Sequence, residues 1–202
     1  MSEIKLNKSK YFALGVFGFI ACIYPEICKA DVGLPMIYLG FPFMLVVLVP
    51  VILIECLTYK TALNISLKST LLPVGTANLI STIVGYPLAW TILLALELLT
   101  THGSALGVAT SFQKFLSVTL QSAWLFPYEK ELYWMVPVAG LVGLIPTFFI
   151  SVYLEAAVVR RFWRTSLYEF KKLSWKANLN SYALLAFIIL SILIFRLIKH
   201  TA

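Results

Sequence analysis

Two acids stand among long apolar runs of this sequence. Glu55 closes the stretch Pro50-Val51-Ile52-Leu53-Ile54-Glu55, and Glu155 follows the run from Met135 to Leu154. Asn78 and Ser81 come after the first acid, Asn178 and Ser181 after the second. Shifting the chain by 100 residues lays each of these residues on its counterpart, and also Ser66-Leu67 on Ser166-Leu167 and Ala77-Asn78-Leu79 on Ala177-Asn178-Leu179. Apolar identities are cheap in such a chain, whereas a shared Glu, Asn and Ser at one offset is not. A carboxylate accepts hydrogen bonds, an amide donates two, and a hydroxyl does both. The economical reading is a clasp in each copy: Glu55 bonded to Asn78 and Ser81, and Glu155 to Asn178 and Ser181. The functional reading of the same residues is an ion site or proton relay, the default suspicion for acids inside a membrane.

The surrounding elements must be membrane spans. The chain has 202 residues, 60% hydrophobic and 12% charged, against about 25% charged in soluble domains. Its mean hydropathy is +0.90. Runs without charge extend over Val32 to Ile54, Leu71 to Leu96, Met135 to Leu154 and Ala177 to Phe195, and about 18 or more such residues read as a span. Four spans are expected, from about Pro35 to Leu57, Pro73 to Leu98, Tyr133 to Val158 and Ala177 to Ile198. Pro73 suits a first helical turn. Pro42, Pro50, Pro87, Pro137 and Pro146 should bend their helices.

A charged side chain at mid-bilayer costs about 2.5–3.5 kcal/mol on insertion scales. Glu55 lies five residues before Lys60 and Glu155 five before Arg160, so each carboxylate sits roughly 7 Å inside the nearer membrane edge. Asn78 and Ser81 share a helix face. Gly85 extends it into a small-residue seam that lets helices approach. Arg160 and Arg161 are long enough to reach back and neutralise Glu155.

The predicted fold is all-α: a four-helix transmembrane bundle of two parallel-repeated helical hairpins, plus an N-terminal signal sequence or fifth helix. Residues 1–30 carry Lys5, Lys8 and Lys10, a short apolar stretch, and small residues around Cys28-Lys29-Ala30, the pattern of a cleaved secretory signal. Residues 31–100 form the first hairpin repeat and 133–202 the second. Residues 101–132 form an extracytoplasmic connector in which Val108, Phe112, Phe115, Leu116, Leu120 and Trp124 line one face of an amphipathic helix.

Basic residues set the orientation. Lys60 and Lys68 lie in one hairpin turn. Arg160, Arg161, Arg164, Lys171, Lys172 and Lys176 lie in the other, and both turns are expected in the cytoplasm of a bacterial inner membrane. Arg160, Arg161, Arg164, Lys171 and Lys172, mixed with aromatics, are candidate contacts to anionic headgroups or to a protein partner. The net charge of +7 is thus assigned to the bilayer and not to nucleic acid.

Cofactors are not expected. Cys22, Cys28 and Cys56 form no C-x-x-C pair, and His102 and His200 are too few and too far apart for a zinc set. The sequence has no H-E-x-x-H, G-x-S-x-G, Walker or dinucleotide motif. The leading expectation is therefore a non-enzymatic envelope protein, a scaffold or assembly partner that meets another membrane protein or its own copy. The alternatives are a small carrier or channel subunit using the paired glutamates, and a membrane-embedded enzyme subunit.

Pro50 to Glu55, followed by Ala77-Asn78-Leu79-Ile80-Ser81-Thr82-Ile83-Val84-Gly85-Tyr86-Pro87, is similar to a pattern in many uncharacterised bacterial polytopic proteins. It also resembles the filament-integrity membrane proteins of filamentous cyanobacteria, in the Glu of one helix and the Asn-Leu-x-Ser of the next. The resemblance covers one hairpin. It implies an envelope protein at cell–cell septa and carries over Glu55, Asn78 and Ser81, with no activity.

Overall fold

Apolar length dictates the elements. In the computed structural model, which describes residues 33–163 and 167–201, a two-residue strand β1 (Leu34–Pro35) leads into helix α1 (Met36–Leu63). Helix α2 spans Leu67–Thr101, with a π-helical turn at Ser81–Gly85. A short helix α3 (Ser111–Leu120) and strand β2 (Trp124–Leu125) precede α4 (Leu132–Val159) and α5 (Leu167–Thr201). The protein is all-helical in its main elements, and α1, α2, α4 and α5 are each long and apolar enough to cross a membrane. Residues 1–30, with the expected signal sequence, lie outside the described residues, as does Arg164.

Three expected boundaries move. Helix α1 runs on to Leu63, where Asn64 closes it in the left-handed conformation (φ 53°), its N–H reaching the Lys60 carbonyl. Helix α2 starts at Leu67, because Ser66 caps it by accepting from the Ser69 N–H at 3.2 Å. Pro73 is therefore inside the helix and not in its first turn. Helix α5 starts at Leu167 and absorbs much of the basic segment that hydropathy alone assigns to a loop. Its 35 residues extend about 52 Å, against a hydrocarbon core of about 30 Å. Lysines keep good helix propensity and can turn their ammonium groups toward water, so they stop the apolar run without stopping the helix.

Pro87 explains the π turn. A proline ring clashes with the carbonyl four residues back and cannot donate to it. Here the Tyr86 N–H bonds to the Ser81 carbonyl, five residues back, which widens the helix just before the proline. Gly85 lies inside this turn. A Cβ there would stand 3.1 Å from Ile150 and 3.2 Å from Leu154, so glycine permits α2 to lie close against α4. The counterpart positions on α5 are Leu185 and Phe187, and that helix is α-helical throughout.

Gly40 on α1 meets a tighter limit. A Cβ at this position would fall 1.6 Å from the Tyr86 hydroxyl. Gly40→Ala should therefore displace Tyr86 and cost about 1–3 kcal/mol, the usual penalty of overpacking. Unfolding in detergent with increasing SDS would measure it, and an unchanged midpoint would refute the packing argument.

The connector caps one end of the bundle. Thr110 and Gln113 form a capping box at the start of α3. Val118 packs inward, while Phe112 (69% exposed) and Phe115 (61% exposed) face outward. Trp124 does not continue the helical face expected of it, because it belongs to β2, paired antiparallel with β1. The Ala123 carbonyl accepts from the Met36 N–H at 2.9 Å and from the Trp90 indole at 3.0 Å. Lys114 and Glu131 form an ion pair at 2.7 Å, and Glu131 also accepts from the Trp134 indole. The ammonium beside it holds the Glu131 carboxyl below its usual range.

Candidate functional site

The six polar residues predicted from the repeat spacing meet in one place. Asn78 Nδ2 donates to Glu55 Oε2 at 2.7 Å, and Asn178 Nδ2 donates to Glu155 Oε2 at 2.5 Å. These are the acid–amide bonds expected within each hairpin. The serines depart from expectation. Ser81 donates to Glu155 Oε1 at 2.7 Å, and Ser181 to Glu55 Oε1 at 2.7 Å. Each acid is thus held by the asparagine of its own hairpin and the serine of the other. The expected self-contained clasp is replaced by a crossed one that ties the two hairpins together.

Helical geometry makes this crossing reasonable. Asn and Ser at i and i+3 share a face but differ in height by about 4.5 Å. The amide lies level with its own acid, and the hydroxyl one turn on points past it to the neighbouring hairpin. Close approach of α2 to α4 at Gly85 places Ser81 within reach of Glu155.

The cluster is closed. Glu55 is 1% exposed and Glu155 2%, with Asn78, Ser81, Asn178 and Ser181 equally buried. On the hairpin-turn side lies a core of Cys56, Tyr59, Val74, Ala77, Ala156, Val159, Phe170 and Ala177. The Trp163 ring stacks on Phe170 and lies tilted against Tyr59. On the opposite side Val47, Val51 and Leu185 pack together.

Arg160 and Arg161 do not neutralise Glu155 as expected. Both are exposed past the end of α4, and the carboxylate takes neutral donors instead. Lys171 sits 4.2 Å above the Tyr153 ring, a cation–π contact on the α4 surface, while Lys172 is exposed. Among the described residues no group of three or more His, Cys, Asp or Glu side chains is placed to hold a metal.

Several polar contributors escaped the repeat argument because they lack counterparts at the 100-residue offset. Ser174 donates to the Val152 carbonyl and lies 3.3 Å from Asn178 Nδ2. Asn180 donates to Thr58 at 3.2 Å, joining α5 to α1. Ser151 and the Tyr182 hydroxyl bond at 3.1 Å. Glu97, near the end of α2, is buried and accepts from the Trp124 N–H at 3.1 Å. Its signal was an acid within a span, which deserved the same suspicion as Glu55.

The fold and this site define an all-helical protein with four candidate membrane-spanning helices, closed at its centre by a pair of hydrogen-bonded acids. No protein-family model, curated protein or solved structure matches the chain.

Proposed function

We propose that this is a non-enzymatic, multi-pass protein of a bacterial inner membrane that acts as a scaffold or assembly partner. Its two hairpins are read as parallel copies of one ancestral hairpin, related by an axis along the membrane normal. The observation that carries the reading is the crossed clasp. Both acids are consumed by donors from the two hairpins and shielded from solvent. That arrangement suits a rigid body better than an open solute path. The basic hairpin turns face the cytoplasm under the positive-inside rule. Anionic headgroups then meet Arg160, Arg161 and Lys172. The resemblance of the first hairpin to filament-integrity proteins makes a septal membrane protein the first partner to seek.

A cavity of about 20 Å³ beside Glu155 favours the second reading, a small carrier subunit. The two readings separate in one experiment. Affinity capture from gently solubilised membranes, followed by mass spectrometry, should return a stoichiometric membrane partner from the wild type and from Glu55→Gln alike. Capture of the bare monomer, with proton or ion flux in liposomes that Glu55→Gln abolishes, would replace the scaffold by the carrier.

A further inference from the structure

Glu55 and Glu155 are buried in one cluster, and each carboxyl oxygen takes a neutral donor: Asn78 and Ser181 on Glu55, Ser81 and Asn178 on Glu155. Among the described residues no cation pairs with either acid, and Arg160 and Arg161 are exposed. Two buried charges of one sign without a cation are costly, whereas an acid that keeps its proton gains a donor and loses its charge. The ionisable neighbours are Cys56 and Tyr59 from α1 and Tyr182 from α5, while α2 brings only Asn78, Ser81 and Thr82.

A cavity beside Glu155 points to a small ligand here. Asn178 Oδ1 and the Tyr59 hydroxyl, buried without a partner on the other side of the cluster, do not line it. The cavity of about 20 Å³ is lined by Glu155, Ser81, Asn78, Thr82, Ser151 and Tyr182, among others. Its wall is mostly apolar, with Met44, Val47, Leu48, Val51 and Leu185 beside these polar groups, and it is large enough for one water molecule bonded to them. A second cavity of about 60 Å³ lies toward the α3 end, walled by Met36, Gly140, Gly143, Thr147 and Ser122, whose buried hydroxyl also lacks a partner. Met44 lines both cavities, and Thr147 stands one helical turn from Ser151. On the other side, Tyr59, Trp163 and Phe170 close the cluster.

We propose that Glu55 and Glu155 share one proton and form a proton-binding site that water reaches only from the α3 end of the bundle. A hydronium in the cavity beside Glu155 delivers the proton to a carboxylate oxygen and leaves as water, and release reverses the step. The site holds for a scaffold and for a carrier alike, so it goes beyond either reading.

The test is infrared spectroscopy of the whole protein in lipid nanodiscs. At neutral pH the wild type shows a protonated-carboxyl C=O band that survives in Glu97→Gln, which removes the other buried acid among the described residues. The band is lost in Glu55→Gln/Glu155→Gln. It also shifts when the wild type carries carboxyl-labelled glutamate, a measurement that needs no variant to fold. Hydrogen–deuterium exchange of this band slows several-fold in Gly143→Leu, which adds a side chain at a position that lines the cavity of about 60 Å³ and where a Cβ meets nothing within 4 Å. Absence of the band in the wild type, or its loss in Glu97→Gln, overturns the shared proton. Unchanged exchange in Gly143→Leu overturns the one-sided access.

Discussion

Glu155→Leu should destabilise the protein by about 3–5 kcal/mol, because one substitution strands groups in both hairpins. Asn178 Nδ2 is left with the Ser174 carbonyl alone, and Ser81, left with the Asn78 carbonyl, loses the bond that ties the first hairpin to the second. In the bilayer neither group can turn to water instead. Removing a buried acid also removes its desolvation cost, so the loss comes from the partners left behind and not from the acid itself. Glu155→Leu combined with Asn178→Leu and Ser81→Ala should recover much of the stability, since apolar replacement of a whole buried polar set is often near neutral. Reversible unfolding in mixed SDS and neutral detergent measures both variants. If the triple variant is no better than Glu155→Leu, stranded donors are the wrong explanation.

Much of this arrangement was legible in the sequence. The spans follow from apolar runs that cannot be accommodated otherwise, and the acid–amide pairs follow from a spacing in which both residues fall at one depth. The crossing of the serines was not legible. It depends on how near the hairpins lie, and that is set by Gly85 and by the π turn ahead of Pro87. Sequence reading recognises a proline as a bend but does not say whether the helix kinks or widens. The start of α5 was hidden for a different reason. Lys171, Lys172 and Lys176 end the hydropathy signal, while the backbone continues as a helix through them. Tyr59, Ser151, Ser174 and Tyr182 have no identical residue at the 100-residue offset, and they mark where the two hairpins differ.

Those differences matter for what holds the bundle together. Helices gain no hydrophobic advantage from one another in lipid, so packing and interhelical hydrogen bonds must carry association. The acid–amide bonds act within hairpins and cannot hold the two hairpins against each other. The serine bonds act between them. Ser81→Ala/Ser181→Ala should therefore cost about 2–4 kcal/mol, each variant leaving one buried carboxylate oxygen without its hydroxyl. A double-mutant cycle assigns the pairing. Ser81→Ala with Glu155→Gln should show a coupling of about 0.5–3 kcal/mol, as expected for residues in contact. Ser81→Ala with Glu55→Gln should show less, because that pair communicates only through the shared cluster. Equal couplings, or the larger one within the hairpin, would mean that each hairpin closes on itself and that the two are held together by packing alone.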